Sequence, residues 1–416
     1  MSGAFERRLS GELRAARPPL ADAAERRAWE VVRAAHAARP PARPWRAARR
    51  LALAAVVAVA AAALVLTPAG AKVGDWIDDV VSPAPEATRS TLSSLPAAGR
   101  LLVVADGSAW LVRDDGARDQ LGRYDDVTWS PGGLFLAAAG GRELTALDPL
   151  GNVRWTRPAS GPVSAPRWSP DGYRIAYRSG AELHVATADN ADDWPLARMT
   201  GAAPPAWKPL PEPAEQVLAF AAGSRVQIVE VDTRRVLGRT PPGPAPRELW
   251  WAQDGRRLVA VTPGSLRIHG PRGRLLRVVE LPAGWTASGS AIAPGGQRLA
   301  LIARRGASSR LLMVRLDRPG AMRPLFSASG AFTGLTWSVD GSLLVVGVPA
   351  ADQWWFVRPR DGGRIEELVR HIRRPFAGGG EPLRGTFPRP AGWCYAEPDY
   401  GSAGGQRPCS PGSAPP

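Results

Sequence analysis

The chain has 416 residues and a mass of 44.1 kDa, enough for one large repeat fold with appendages. Hydrophobic residues make up 44% and charged residues 22%, which excludes wholesale disorder and a protein with many membrane spans. The net charge is +15, and nearly all of the basic residues are Arg. A G+C-rich genome explains this Arg content as well as a polyanionic partner does, so the charge is weak evidence for nucleic acid and none is expected as a partner.

Residues 1–50 predict a basic cytoplasmic arm with two amphipathic helices. Phe5, Leu9 and Leu13 recur every four residues, and a second helix is expected over residues 21–38. Neither helix can bury its apolar face alone, so each needs the other, the membrane surface or a partner protein. A hairpin on the membrane surface is one interpretation. The other is a docking element for a cytosolic regulator, because the layout resembles that of single-pass anti-sigma factors.

Residues 51–71 contain no charged residue, and the first sixteen of them are all apolar. Twenty-one helical residues extend about 31 Å, the thickness of the hydrocarbon core of a bilayer. The sequence therefore predicts a transmembrane helix with the lipid bilayer as its partner. A cleaved signal peptide is the alternative, because Ala69-Gly70-Ala71 has the form of a cleavage site, although the 50 residues before the apolar run are too many for one.

Charges on the two sides of this segment predict its orientation. Arg46, Arg49 and Arg50 precede it, whereas Asp75 and Asp78 follow it. Because basic residues beside a span are retained on the cytoplasmic side, the N-terminus is expected inside and the bulk of the chain outside a bacterial cell membrane. Residues 72–99 are interpreted as a juxtamembrane turn and a Pro/Ser/Ala linker.

A repeated motif follows the linker. Copies begin at residues 129, 168, 207, 251, 292 and 337, so the intervals are 39, 39, 44, 41 and 45 residues. The fullest copy is Trp168-Ser169-Pro170-Asp171-Gly172, and the copies at residues 207 and 292 are degenerate. The candidate turn and packing residues are Trp129, Pro131, Gly133, Trp168, Pro170, Asp171, Gly172, Trp207, Trp251, Asp254, Gly255, Pro294, Gly296, Trp337, Asp340 and Gly341.

Each copy predicts a tight reversal between two strands. Pro170 has the φ that the second position of a type I turn requires, Ser169 can accept a hydrogen bond at the first, and Gly172 closes the fourth. An apolar run of strand character follows every copy, and a second alternating strand follows that run. Several strands in forty-odd residues are typical of a four-stranded propeller blade, in which the large Trp packs between neighbouring blades.

These residues resemble the WSPDG-type repeats of TolB-like bacterial β-propellers, which are also described as WD-like propeller repeats. The resemblance implies an all-β propeller over residues 100–396. Strands at residues 101–104 and 110–112 lack a first strand, which residues 387–395 can supply from the other end of the chain. Six copies and this composite blade predict seven blades, with six or eight as the alternatives.

The sequence lacks the common motifs of catalytic, phosphate-binding and metal sites. It has no Gly-x-Ser-x-Gly elbow, no phosphate-cradling loop and no Asp series with calcium-ligand spacing, and its two Cys and four His are too few for a zinc framework. No catalytic residue, metal or cofactor is therefore expected. Cys394 and Cys409 form either a disulfide, on the predicted oxidising side, or two free thiols. Residues 397–416 are expected to be a disordered Gly/Pro/Ser tail.

These patterns favour a non-enzymatic, membrane-anchored propeller that binds a protein or a small ligand where its loops converge. The alternative function is a signal transducer, in which the propeller senses outside the membrane and the arm holds a cytosolic regulator. A propeller hydrolase is a third hypothesis, for which the sequence shows no machinery.

Overall fold

The structure is a computed structural model, and it describes residues 87–89, 92–209, 215–318, 320, 322–377, 386–395 and 409–411. The chain divides into two compact units, Met1–Val73 and Gly74–Pro416, and every described residue belongs to the second. The predicted arm and the predicted span at residues 51–71 lie outside the described residues. Within the described ranges, no helix is both long enough and apolar enough to cross a membrane.

The described residues form thirty strands and three short 3-10 helices. In chain order the strands are β1 (Ala87–Arg89), β2 (Arg100–Ala105), β3 (Ser108–Val112), β4 (Arg118–Gly122), β5 (Asp126–Trp129), β6 (Leu136–Gly140), β7 (Glu143–Leu147), β8 (Val153–Pro158), β9 (Val163–Trp168), β10 (Arg174–Ser179), β11 (Glu182–Thr187), β12 (Asp193–Arg198), β13 (Ala206–Trp207), β14 (Val217–Ala222), β15 (Arg225–Glu230), β16 (Arg235–Arg239), β17 (Glu248–Trp251), β18 (Leu258–Val261), β19 (Ser265–His269), β20 (Leu275–Glu280), β21 (Thr286–Ile292), β22 (Arg298–Arg305), β23 (Ser308–Arg315), β24 (Arg323–Ser329), β25 (Thr333–Trp337), β26 (Leu344–Val348), β27 (Gln353–Arg358), β28 (Arg364–Arg370), β29 (Arg389–Cys394) and β30 (Ser410–Pro411). The 3-10 helices are Pro349–Ala351, Pro359–Asp361 and Arg374–Phe376.

These strands form seven sheets, which we number as blades. Blades 1 to 6 are the antiparallel sets β5–β8, β9–β12, β13–β16, β17–β20, β21–β24 and β25–β28. Blade 7 is composite, because β29 from the C-terminal region pairs antiparallel with β2, followed by β3 and β4. The innermost strand of each blade contacts that of the next, and β29 contacts β5, so the ring is closed. The chain is a seven-bladed β-propeller, as predicted, and β29 is the expected closing strand.

The core lies between the blades and divides into seven clusters of buried side chains, one at each interface. Strand β22 shows how the sequence produces them. Leu299 and Leu301 pack toward blade 4, whereas Ala300 and Ile302 pack toward blade 6. Because successive side chains of a strand point to opposite faces, a continuous apolar run fills two interfaces at once.

Two predicted boundaries differ from the structure. Part of the predicted linker belongs to the propeller, because β1 pairs in parallel with β28 at the outer edge of blade 6 and both Leu92 and Leu95 are buried. Part of the predicted disordered tail is also ordered, because β30 pairs with β29 on its channel side. In both cases neighbouring blades cover a short segment that has too few apolar residues to fold alone.

Strand direction assigns every loop to one of two faces. The innermost strand of each blade runs toward the turn that joins it to the second strand, and the third strand also ends on that side. We call this side the turn face. We call the other side the loop face, because the connections between blades lie there.

Candidate functional site

The predicted tight turns are present at the turn face. Gly172 N–H donates to the carbonyl of Ser169 over 2.9 Å, which is the hydrogen bond of a four-residue β-turn. Ser169 Oγ accepts from the backbone of Arg174 at 2.9 Å, and Asp171 Oδ1 accepts from the backbone of Tyr173 at 3.0 Å. The Ser and Asp side chains therefore hold the turn from inside, which explains these residue types at these positions.

The backbone hydrogen bond of this turn recurs in four other copies. Gly341 N–H donates to Ser338 O at 2.8 Å in the copy that lacks Pro, and Gly133 N–H donates to Ser130 O at 3.0 Å. The looser turns keep the same backbone bond, at 2.9 Å for Gly255 and 2.8 Å for Gly296. In the degenerate copy after Trp207, the described residues stop at Pro209.

The turns are brought together in a ring around the channel. A Cβ added to Gly172 would lie 3.8 Å from Pro131, and one added to Gly341 would lie 3.5 Å from Pro294, in each case in the preceding blade. The packing is tighter at Gly296, where a Cβ would lie 2.0 Å from the backbone nitrogen of Gln253. Glycine is required here both for its positive φ and for this close approach.

The repeated Trp links each blade to the one before it. The indole nitrogens of Trp207, Trp251 and Trp337 donate to carbonyl oxygens in the innermost strand of the preceding blade, at 2.9, 3.2 and 3.0 Å. Trp129 and Trp168 occupy the same position, but among the described residues their buried indole nitrogens have no hydrogen-bond partner. The shared position of the Trp in the repeat thus produces inter-blade hydrogen bonds at some interfaces only.

Trp393 belongs to this set, although no turn signature marks it in the sequence. It pairs with Leu101 in β2 just as Trp129 pairs with Leu136 in β6. Because the chain does not continue from β29 into a second strand, blade 7 lacks the turn that identifies the other copies. Only Ile292, in blade 5, replaces Trp at the equivalent register.

The ring is fastened where blade 7 meets blade 1. Cys394, at the end of β29, forms a disulfide with Cys409, and the backbone nitrogen of Cys409 donates to Pro131 O at 3.2 Å. Arg100 donates to Gly133 O at 3.0 Å and stacks over the ring of Trp129 at 4.7 Å. The two cysteines and the first repeat turn therefore lie in one cluster, which links the C-terminal segment to both blades that flank the closure.

Three buried charged residues lie at the loop-face ends of innermost strands. Asp126, Glu248 and Arg389 are the first residues of the innermost strands β5, β17 and β29, and each is less than 10% exposed. Since innermost strands border the central channel, we call these three residues the channel mouth. The sequence analysis missed them, because only closure of the ring places residues so far apart in the chain at one opening.

Arg389 and Asp126 form the charged side of the channel mouth. Arg389 Nη2 donates to the carbonyl of Asp125 at 3.0 Å, and Asp126 Oδ2 accepts from the backbone nitrogen of Ala165 in blade 2 at 3.2 Å. Burial lowers the pKa of Arg389, and the carboxylate of Asp126 opposes this shift. The arrangement holds a guanidinium and a carboxylate at the loop-face ends of neighbouring innermost strands, with little contact to solvent.

Glu248 lies in a hydrogen-bonded chain that crosses from blade 4 to blade 5. Ser290 Oγ donates to the Glu248 carboxylate and accepts from Trp250 Nε1 at 2.8 Å. All three residues are buried. Hydrogen bonds therefore fix this carboxylate at the interface between blades 4 and 5.

Two histidines of the propeller lie within its sheets. His184 lies 3.2 Å from Asp193 Oδ2, and Tyr177 donates to the other oxygen of Asp193 at 2.9 Å, all within blade 2. His269 is buried in β19, and burial lowers its pKa. No group of three His, Cys, Asp or Glu residues positioned to hold a metal ion occurs in the described part of the chain.

Comparison with known proteins supports the fold alone. No protein-family model matches the chain, and a search of curated proteins finds no relative. Among solved structures, the C-terminal WD40 domain of Sif2 is similar with a TM-score of 0.51 and 13% identity, over 79% of this chain and 95% of that one. This likeness supports a WD40-like propeller with seven blades.

Two further structures are similar at lower TM-scores. The β-propeller domain of Cps50 (Swd1) from Myceliophteria thermophila gives a TM-score of 0.46 at 13% identity, over 66% of this chain and 94% of that one. Hydrazine synthase of Kuenenia stuttgartiensis gives 0.48 at 15% identity, over 56% of this chain and 76% of that one.

Proposed function

We propose that this chain is a membrane-anchored propeller of the TolB-like type, which binds a protein or a small ligand at its channel mouth outside the cytoplasm, without catalysis. One observation carries the binding function: Asp126, Glu248 and Arg389 bring charge to one opening at the cost of desolvation. Charged groups that are fixed by hydrogen bonds beside an opening are suited to orienting a ligand there.

Two features support the location. The apolar segment 51–71 is long enough to span a bilayer, and the charges around it favour a cytoplasmic N-terminus. The propeller carries the Cys394–Cys409 disulfide, and disulfides persist in oxidising compartments. A propeller outside the membrane satisfies both, and residues 1–50 then remain as the cytoplasmic arm.

A reporter fusion tests the location. Alkaline phosphatase fused after Pro416 is expected to be active, and green fluorescent protein at the same position is expected to be dark, because the first folds only outside the cytoplasm and the second only inside. Deletion of residues 51–71 is the control and should reverse both results. A fluorescent C-terminal fusion in the full chain would contradict the proposed topology.

Photo-crosslinking tests the binding function in living cells. A photoreactive residue at Asp125, which is exposed beside the channel mouth, is expected to give a discrete adduct, whereas one at the exposed Thr156 in β8 is not. Asp126→Asn preserves the shape of the side chain and should weaken the adduct at Asp125. Equal labelling at both positions, or an adduct indifferent to Asp126→Asn, would argue against a site at the channel mouth.

The signal-transducer alternative concerns the arm. If residues 1–50 hold a cytosolic regulator, a sigma factor should co-purify with the full chain and be lost when the arm is deleted. Recovery of no protein partner on the cytoplasmic side would leave anchoring and orientation as the function of the arm.

A further inference from the structure

The C-terminal segment continues the sheet of blade 7 on its channel side. Strand β30 pairs antiparallel with β29, and Ser410 lies opposite Trp393. Cys394 and Cys409 occupy the next position of the same register, with their Cα atoms 4.5 Å apart. This is the separation of a non-hydrogen-bonded pair in an antiparallel ladder. The disulfide is therefore a cross-strand bond that fixes the register of β30.

Ser410 provides the main-chain hydrogen bonds of this pairing. Hydrogen-bonded and non-hydrogen-bonded pairs alternate along an antiparallel ladder, so Ser410, next to the cysteine pair, takes a hydrogen-bonded position. It is also the only residue of β30 with a backbone N–H, because Pro411 has none. The N–H of Cys409 is directed to blade 1 instead, where it donates to Pro131 O at 3.2 Å. Main-chain contacts thus hold this segment against two blades.

Strand β30 lies inside the ring of blades. Besides β29 it contacts β5, β21 and β25, which are the innermost strands of blades 1, 5 and 6. Innermost strands border the central channel, so an element that contacts those of four blades lies within the channel. Trp393 and Cys394 are at the turn-face end of β29, and Pro131 belongs to a turn on that face. Residues 409–411 therefore occupy the turn-face end of the channel.

The innermost strands present main-chain groups to the channel. In blades 1 to 6 the innermost strand is the last strand of its sheet, and within the described ranges only blade 7 carries a further strand on this edge. A free edge pairs readily with another extended chain, because its N–H and C=O groups need partners. Such pairing is made by the main chain and depends little on the side chains of the added segment. The edge of β29 is thus suited to an extended peptide, and the chain's own segment covers it.

From this arrangement we propose that the turn-face end of the channel is a strand-addition site for an extended peptide, and that residues 409–411 occupy it as an intramolecular inhibitor. A two-residue strand makes too few hydrogen bonds to remain in place alone. The disulfide holds it there, since a short tether raises the effective concentration of the segment to the order of millimolar. A free peptide enters only when this segment is released. This site is separate from the channel mouth, which lies at the loop-face ends of the innermost strands.

Capture of a peptide at Cys394 tests this site. The full chain carries Cys409→Ser and Ser410→Pro, which free the Cys394 thiol and weaken the pairing of the native segment. A peptide of residues 406–413 is supplied as a mixed disulfide between its Cys409 and glutathione. The Cys394 thiolate displaces glutathione, so that one disulfide breaks, another forms and the number of thiols stays the same. Mass spectrometry measures the fraction of the chain that carries the peptide at equilibrium.

The equilibrium constant for exchange should be about tenfold larger for the native peptide than for the same peptide with Ser410→Pro, because only the first can donate a backbone hydrogen bond to β29. The wild-type chain is the control and should capture neither peptide, since its own disulfide covers the site. Equal capture of the two peptides would show that the disulfide, not strand pairing, selects the segment, and would overturn the proposal. Capture by the wild-type chain, or by neither chain, would overturn it as well.

Hydrogen exchange of the full chain measures the native contact directly. Ser410→Pro alone, with the disulfide kept, should speed amide exchange in the segment that contains β29 and leave the exchange of β17 unchanged. Strand β17 is the matched control, because it is also an innermost strand and its described sheet has no strand on the channel side. Unchanged exchange at β29 would show that β30 is not paired there and would overturn the proposal, whatever is found at the channel mouth. The circular dichroism spectrum should match that of the wild type, because the substitution lies outside the four main strands of every blade.

Discussion

Replacement of Trp337 by Phe tests whether the indole hydrogen bonds stabilise the propeller. Trp337 is fully buried, its Nε1 donates to Ala291 O at 3.0 Å in the preceding blade, and Arg298 lies over its ring at 5.0 Å. Trp129 is the matched control. It occupies the same register, is 6% exposed and has Arg100 over its ring at 4.7 Å, but among the described residues its Nε1 has no partner.

The two substitutions remove the same atoms, so the lost area, the cavity and the weakened cation–π contact should largely cancel between them. Trp337→Phe also removes a hydrogen bond worth about 1 kcal/mol and deprives a buried carbonyl of its donor, which costs about 1–3 kcal/mol. Trp129→Phe removes an indole N–H that has no partner among the residues the structure describes, and so relieves a cost of similar origin. We expect Trp337→Phe to lower the free energy of unfolding by about 2 kcal/mol more than Trp129→Phe does.

Urea unfolding of the purified full chain, followed by far-ultraviolet circular dichroism, measures both variants against the wild type. Equal unfolding slopes are needed for the comparison, because a changed slope indicates a changed unfolded state or an intermediate. If Trp129→Phe were as destabilising as Trp337→Phe, the inter-blade hydrogen bond would contribute nothing beyond the packing of the ring, and the reasoning would be refuted.

Three further predictions use the same unfolding measurement. Cys409→Ser should cost up to about 3 kcal/mol, because the bond to Cys394 closes a loop of about 15 residues, and a reducing agent should destabilise the wild type but not the variant. Gly296→Ala should lower the free energy of unfolding more than Gly306→Ala does. Both glycines have positive φ, but only at Gly296 would an added Cβ meet a backbone atom within 4 Å. Equal losses of stability would show that the turns are not packed as described. Burial lowers the pKa of His269 below its ordinary 6.5, so the unfolded chain binds a proton more readily than the folded one. The free energy of unfolding should therefore fall as the pH drops below about 6.5, and His269→Gln should flatten that part of the pH profile. An unchanged pH profile in the variant would show that His269 is not the source of the fall.

The repeat was visible in the sequence because each blade carries its own local signal. The hydrogen bonds of Ser169 and Asp171 are made within five residues of the chain, so turn chemistry and a spacing of 39 to 45 residues were enough to predict seven blades. The closing strand followed from the same count, since one blade lacked its first strand and only residues 387–395 could provide it.

The channel mouth could not be predicted in this way. Asp126 and Arg389 are separated by most of the propeller in sequence, and neither stands in a motif. The closing strand that contains Trp393 was predicted, but the equivalence of Trp393 to the repeated Trp was not, because blade 7 lacks the turn that follows the other copies. Burial of Leu92 and Leu95 was also not predicted. Their segment has the Pro- and Ser-rich composition of a spacer, and only the tertiary structure shows that blades 6 and 7 cover it.

What the sequence determined is local and periodic: the turns, the alternating apolar strands, the number of blades and the apolar segment at residues 51–71. These depend on backbone preferences and on burial that repeat every forty-odd residues. The tertiary structure alone decided which residues meet across the ring. Closure brings β29 beside β2 and β5, joins Cys394 to Cys409 and places Asp126 and Arg389 on neighbouring innermost strands. Such contacts form only after distant segments have been ordered together, and no short stretch of sequence records them.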